Sequence, residues 1–145
     1  MIDFENLLQV FYSQSEKFGA VSEDTVMSAE NELGVSFPEE YKQFLYNFGA
    51  LIGNGIEIYG LPIHTNDTPP LWQNVVTVTK RLREYHQVGT EDSKFIPISS
   101  DGMDMNYFMN TNKHPYMEIW AIGHETKIKI ASNLNDFIIN KLLSQ

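Results

Sequence analysis

Three kinds of feature are missing from this chain of 145 residues, and each absence excludes a class of protein. It contains no cysteine, which excludes disulfides, thiolate nucleophiles and cysteine-ligated zinc. No window approaches the ~20 apolar residues that a membrane-spanning helix needs. The amino terminus has acids where a secretory signal carries lysine or arginine, and it has no small-residue cleavage site. We therefore expect a cytoplasmic protein with one folded domain over residues 1–145.

Basic residues are scarce, and their distribution is uneven. The chain has 10 Lys and Arg against 19 Asp and Glu, a net charge of -9. Residues 1–60 hold ten of the acids and two of the bases, whereas residues 61–145 hold nine acids and eight bases. Such a charge repels nucleic acid and anionic lipid, and it attracts a basic protein. A merely solubilising acidic surface is the alternative explanation.

Apolar spacing predicts helices in the first third of the chain and at its end. A stripe at i, i+3, i+4 and i+7 predicts a first helix over residues 3–17. The second helix is expected between an N-cap at Ser22 and a terminal Gly34. The third opens at residues 36–38, where Glu39 can form a capping box with Ser36. A fourth helix over 71–86, started near Asp67 or Thr68, and a last one after Ser132 or Asn133 complete the set.

Short alternating segments between turn residues predict strands after residue 50. One is expected at 56–59, after a turn-rich stretch over 47–55. Four more lie at 95–98, 105–110, 116–122 and 127–131. Tight turns between the last three argue for an antiparallel meander. The predicted fold class is α+β, with an antiparallel sheet of four or more strands packed against the N-terminal helices and a C-terminal helix.

The chain carries no recognisable catalytic or metal-binding motif. The four histidines, His64, His86, His114 and His124, have no zinc-ligand spacing. The segment 101–106 has oxygen ligands but no glutamate to close a calcium loop, so a hairpin turn is the better interpretation. We therefore predict neither a cofactor nor a metal, and no enzyme. A hydrolase that uses paired carboxylates stays open as a third hypothesis.

Some charged and aromatic residues lack an evident structural role and are therefore candidates for binding a partner protein. Glu30 and Glu32 are expected near the end of the second helix, where the helix dipole disfavours anions. Asp101 and Asp104 lie in the predicted turn, and Trp72 lies at the predicted start of the fourth helix. Tryptophan beside acids is typical of protein-binding surfaces, although core packing is the alternative for each aromatic residue.

Several segments, in their order along the chain, resemble the SUKH superfamily, which includes a yeast cell-wall-synthesis regulator and many bacterial immunity proteins. The leading motif combines apolar, glycine and aromatic positions, and weaker matches follow it over roughly residues 20–142. The matching segments are Glu32-Leu33-Gly34-Val35, Phe37-Pro38, Tyr41, Phe44-Leu45, Gly53-Asn54-Gly55, Phe95-Ile96-Pro97-Ile98, Asp101-Gly102, Asp104, Ala131-Ser132 and Phe137.

The resemblance implies a non-catalytic immunity protein that neutralises a cognate polymorphic toxin, a nuclease above all. The partner would be the toxin's basic nuclease domain, without direct contact to nucleic acid or membrane, and a homodimer stays open. An acidic chain is complementary in charge to the basic cleft in which a nuclease binds phosphates. The alternative is a non-catalytic scaffold or regulator of cell-wall or envelope synthesis.

Overall fold

The computed structural model describes residues 3–61 and 73–145. Along these residues the chain forms five helices and seven strands. In chain order they are α1 (Phe4–Gln14), β1 (Glu16–Lys17), α2 (Glu23–Leu33), α3 (Glu39–Phe48), β2 (Leu51–Gly53), β3 (Ile56–Ile58), α4 (Val75–Glu84), β4 (Phe95–Ser100), β5 (Asn106–Asn110), β6 (Ile119–Gly123), β7 (Thr126–Ala131) and α5 (Leu134–Leu143).

Helix α2 begins and ends at the residues that the sequence predicts, Ser22 and Gly34. The Ser22 hydroxyl accepts the backbone N–H of Thr25 at 3.3 Å. At the other end Gly34 adopts a left-handed conformation with φ of 73°, which glycine reaches without a steric penalty. Its N–H donates to the carbonyl of Glu30 at 2.8 Å. Both predicted boundaries of this helix are confirmed.

Two other helix starts differ from the prediction. Helix α3 has Pro38 at its N-cap and no side-chain capping bond, so the capping box between Ser36 and Glu39 does not form. Helix α4 begins after Asn74, whose side chain accepts the N–H groups of Val76 and Thr77. The predicted start of α4 near residues 67–70 lies outside the described residues.

Strands β4 to β7 form the predicted antiparallel meander, in the order β4-β5-β6-β7. Ile96, Met109 and Ile119 pair across three neighbouring strands and are fully buried. This inner face packs with the helices in one core, because side chains from α2, α3 and α5 belong to the same apolar cluster. The α+β prediction is therefore confirmed.

A second, three-stranded antiparallel sheet joins β1, β2 and β3. The N–H of Tyr59, directly after β3, donates to the carbonyl of Ile98 on β4 at 2.8 Å and so joins the two sheets. The prediction found β3 but assigned β2 to turns and β1 to the first helix. Both strands have at most three residues, which is too short for a period of two to be recognised.

Tyr41 on α3 links the helical layer to the smaller sheet. Its ring is fully buried and packs edge-on against Phe37 at a centroid distance of 5.1 Å. Its hydroxyl donates to the carbonyl of Tyr59 at 2.7 Å, which satisfies the buried polar atom. Over residues 3–61 and 73–145, no helix is long and apolar enough to cross a membrane.

Candidate functional site

The N-terminal helical layer presents an acidic surface to solvent. Of its two lysines, Lys17 donates to the carbonyls of Tyr12 and Ser15, and Lys42 lies beside acids of α2 and α3. Lys42 lies 3.6 Å from the exposed carboxylate of Glu39, but seven exposed carboxylates against two ammonium groups leave the surface negatively charged. We call these seven exposed side chains the acidic helical surface: Asp3, Glu5, Glu16, Glu23, Asp24, Glu32 and Glu39.

Glu30 has a structural role that the sequence did not reveal. Its carboxylate accepts the backbone N–H of Phe37 at 2.7 Å and lies 3.9 Å from the Lys42 ammonium. Only 15% of its side chain is exposed. The expectation that Glu30 lacks a structural role is wrong, because the carboxylate ties the end of α2 to the segment that leads into α3.

Glu32 is more exposed, at 53% of its side chain, and it forms an ion pair with Lys80 on α4. Two further cations reach the same helix end: Arg83 donates to the carbonyl of Leu33, and Lys94 donates to that of Gly34, both at 3.4 Å. Cations at a helix C-terminus offset the negative end of its dipole. The predicted electrostatic cost of acids at the end of α2 is therefore compensated by other elements.

Asp101 shapes the turn between β4 and β5. One of its oxygens accepts the N–H of Met103 at 2.8 Å and that of Met105 at 3.3 Å, and Gly102 has φ of 80°. These bonds give Asp101 a structural role. Asp104 is exposed on the same turn, and no side-chain hydrogen bond of Asp104 occurs among residues 3–61 and 73–145.

The structure does not bring these predicted residues together. Lys94 reaches the end of α2 from the position just before β4, whereas Asp101 follows β4. Since β4 has six residues at about 3.3 Å each, roughly 20 Å of strand separates the two regions. Trp72 lies outside the described residues. Glu30 contacts Phe37 and Lys42, whereas Glu32 contacts Lys80 on α4, so the two acids lie on different sides of α2. The β4–β5 turn forms a separate candidate region.

A further site, which the prediction missed, lies on the outer face of the four-stranded sheet. Trp120 on β6 is partly buried and packs against Phe95, with ring centroids 6.0 Å apart. The Lys127 ammonium lies over the Phe95 ring, 5.1 Å from its centroid. We call the group Phe95, Glu118, Trp120, Lys127 and Lys129 the outer-face cluster. Strand alternation places Glu118 and Trp120 on one face, and this was the available signal.

Glu118 holds the outer-face cluster in place. One carboxylate oxygen accepts the Trp120 indole N–H at 2.8 Å and the Asn110 amide at 3.1 Å. The other lies 3.6 Å from Lys129. Burial alone raises the pKa of Glu118, but these hydrogen bonds and the charges of Lys129 and Lys113 outweigh it and hold the pKa below its usual range. The carboxylate therefore stays ionised and orients the tryptophan.

Two other carboxyl groups have raised pKa values. Burial raises the pKa of Glu40 despite two backbone hydrogen bonds to its carboxylate, from Met117 and Leu134. Burial raises the pKa of Glu57 to about 7. The cause at Glu57 is burial and not a neighbouring carboxylate, so it lacks the paired partner typical of acid–base catalysis.

No metal site is formed within the parts of the chain that the structure describes. They contain no cluster of three or more histidine and acidic side chains arranged to hold an ion.

Comparison with known families identifies the chain. A family model described as SMI1-KNR4 cell-wall matches residues 23–138, which is most of the sequence. The chain belongs to this family. The match confirms the resemblance to the SUKH superfamily, and no curated protein matches the chain.

The residues that carry the SUKH resemblance are mainly structural. Leu33, Val35, Phe37 and Tyr41 of the leading motif are buried, and Gly34 closes α2 in the left-handed conformation. These positions build the junction of α2 and α3 with the core. The buried positions of the motif and Gly34 therefore report the SUKH fold.

Proposed function

We propose that this SUKH protein is an immunity protein that binds and neutralises a cognate polymorphic toxin with a nuclease domain. The observation that carries the proposal is the acidic helical surface. Nucleases that grip phosphates are basic around their clefts, and a complementary surface accelerates association and favours the correct partner. Family membership supports the same interpretation, since the superfamily includes many immunity proteins.

A non-catalytic role agrees with how the carboxylates are used. Glu30 and Glu40 accept backbone N–H groups, Glu118 orients Trp120, and Glu57 stands without a paired carboxylate. Inhibition by a protein of this kind requires only that it cover the toxin's substrate cleft. We therefore propose binding, and no reaction, as the activity of this chain.

The contacts with the toxin are proposed at acids that remain accessible. Glu32 and Asp104 are exposed, and Glu32 can exchange Lys80 for a basic residue of the toxin. Asp101 and Glu30 serve the fold through their backbone bonds, so their contribution to binding is secondary. Trp72 stays a proposed contact from its sequence context alone.

The alternative function is a scaffold or regulator of cell-wall or envelope synthesis. The description of the matching family names the cell wall, which is the observation that favours it. Such a regulator would bind several envelope-synthesis proteins with modest affinity, whereas an immunity protein binds one toxin tightly.

Co-expression with the toxin domain encoded in the neighbouring gene tests the proposal. We expect restored growth, and we expect the purified chain to stop nucleic-acid cleavage at a one-to-one ratio. Charge reversal by Glu32→Lys with Asp104→Lys should slow association at low salt, and the defect should shrink at high salt. The control is Glu84→Lys, an exposed acid at the end of α4. Lack of binding at micromolar concentration overturns the proposal, and recovery of several envelope-synthesis proteins instead favours the alternative.

A further inference from the structure

A groove of about 520 Å³ runs along α1 and reaches the start of α5. Leu8 and Tyr12, both half-buried, give it an apolar lining, and Asn135 of α5 lies at its side. Glu5 lines the groove about 10 Å along the helix from Tyr12. Because Glu5, Leu8 and Tyr12 are spaced by three and four residues, they share one face of α1. The groove therefore presents a carboxylate, an aliphatic side chain and an aromatic ring in a row.

The Tyr12 ring is fixed before any partner arrives. It stacks on Phe48 with 10° between the planes and centroids 5.4 Å apart, and its hydroxyl donates to the Oδ1 atom of Asn135 at 3.1 Å. Burial and the charge of Glu40 raise the pKa of Tyr12 to about 12, so the phenol keeps the proton that makes this bond. Tyrosine is enriched among binding hot spots, and a fixed side chain loses little conformational entropy on binding.

The charge around the groove is negative. Both lysines of the surrounding elements are engaged by the chain itself: Lys17 donates to backbone carbonyls at the end of α1, and Lys141 on α5 donates to the Tyr107 hydroxyl at 2.8 Å. Even with both counted at full charge, five acids leave an excess of three negative charges. These acids are Asp3, Glu5 and Glu16 on and beside α1, Asp136 on α5, and Glu40, whose charge acts on Tyr12.

We propose that this groove receives two basic side chains of the toxin about 10 Å apart, with an arginine at Tyr12; the proposal rests on the function proposed above. The guanidinium plane would stack on the Tyr12 ring, and the second basic group would face Glu5. The aliphatic stems of both would lie against Leu8. Arginine fits the aromatic end better than lysine, because a planar guanidinium is less strongly hydrated than an ammonium group. The family match begins at residue 23, so membership alone does not assign this groove.

Titration of the ¹⁵N-labelled chain with N-acetylarginine amide, followed by NMR, tests the groove without the toxin. We expect the amide shifts to concentrate at residues 8–13 and at Asn135, and to be weaker with N-acetyllysine amide. Ser13→Trp places a large side chain at an exposed position of the groove and should abolish the shifts. Tyr12→Phe keeps the ring and should retain them, whereas Tyr12→Leu should lose the preference for arginine. Circular dichroism melting checks that each variant is folded.

Binding of the toxin domain provides the second test. Glu5→Gln with Asp136→Asn removes two exposed acids beside the groove and should weaken binding at least about fivefold at low salt, with a smaller loss at high salt. The matched control is Glu23→Gln with Asp24→Asn, which removes the same charge from the first turn of α2 and should have a smaller effect. Ser13→Trp should weaken binding at both salt concentrations, because it blocks the groove sterically.

The two tests separate failure of this proposal from failure of the immunity function. Toxin binding that is unaffected by Ser13→Trp and by the paired acid variant overturns the groove as the contact and leaves toxin neutralisation standing. Absence of toxin binding overturns the proposed function and the toxin as occupant, and the arginine titration still decides whether the groove takes basic side chains. Arginine shifts spread equally over Glu23 and Asp24 overturn the proposal, as does self-association of the chain that Ser13→Trp abolishes.

Discussion

The carboxylate of Glu40 accepts the backbone N–H groups of both Met117 and Leu134, at 2.7 and 3.1 Å. One side chain at the start of α3 thus fixes the entry to β6 and the first turn of α5. The backbone N–H of Glu40 donates in turn to the carbonyl of Pro115 at 2.9 Å. These bonds join elements that are 77 and 94 residues apart in the chain, so Glu40 connects the helical layer to the C-terminal half.

Replacement of Glu40 by alanine should lower the free energy of unfolding by about 2–4 kcal/mol, because it leaves two partly buried N–H groups without an acceptor. Glu40→Gln keeps an acceptor oxygen, and burial already raises the pKa of Glu40, so its cost should stay below about 1.5 kcal/mol. Urea unfolding followed by circular dichroism measures both. Glu39→Ala is the control: its carboxylate is exposed and lies 3.6 Å from Lys42, and we expect a loss below about 0.5 kcal/mol. Equal losses for the alanine and glutamine variants would contradict this role of Glu40.

Glu30 and Glu32 should differ strongly in their effect on stability. Glu30→Ala removes the acceptor of the Phe37 N–H and should cost about 1–2 kcal/mol. Glu32→Ala removes an exposed ion pair with Lys80 and should cost no more than about 0.5 kcal/mol. Thermal melting of the two single variants measures the difference. Reversal of both charges should lower the melting temperature, whereas the sequence alone leads one to expect it unchanged or raised.

Sequence patterns identified the features of this fold that depend on neighbouring residues. The cap at Ser22, the left-handed Gly34 and the Asp101-Gly102 turn each need only a few adjacent positions. The role of Glu32 could not be predicted in the same way, because its partner Lys80 is 48 residues away. Long-range pairs depend on how α2 and α4 pack, and no local period encodes that packing.

The same distinction applies to the candidate surfaces. The excess of acids before residue 60 is a property of the sequence, and the structure shows seven of those side chains exposed. The outer-face cluster draws on β4, β6, the residue before β6, and β7, so it exists only once the meander has formed. From the sequence, Trp120 is an aromatic residue in the strand predicted over 116–122. Its bond to Glu118 and its lysine neighbours could not be predicted from spacing.

Glu57 should make stability depend on pH. Burial raises its pKa from 4.5 to about 7, so between these values the folded state holds a proton that the unfolded state has lost. The contribution of Glu57 to the free energy of unfolding is therefore fully present below pH 4.5. It is lost as the pH rises through about 7. Glu57→Gln removes this titration and should stabilise the chain at pH 8 by about 1–2 kcal/mol, a part of the full shift because the carboxyl is partly exposed.

Melting temperatures of Glu57→Gln and the unsubstituted chain, measured from pH 4 to 8, check this expectation. The two curves should converge at the acidic end and separate as the pH rises. Glu125→Gln, at the exposed β6–β7 turn, serves as the control for removal of one negative charge. Parallel curves over the whole range would show that Glu57 does not titrate in this window.

The packing of the α4–β4 connection on the outer sheet face can be tested with two glycines. Both have positive φ, 103° at Gly89 and 73° at Gly34, but a Cβ at Gly89 would lie 2.7 Å from the Phe108 ring, whereas one at Gly34 would meet nothing within 4 Å. Gly34→Ala should therefore cost about 1 kcal/mol for the backbone conformation alone. Gly89→Ala adds a steric overlap with a buried ring and should cost about 2–4 kcal/mol in urea unfolding. An equal cost for the two substitutions would mean that the connection does not contact the Phe108 ring. More of the outer sheet face than Trp120 would then be exposed to solvent.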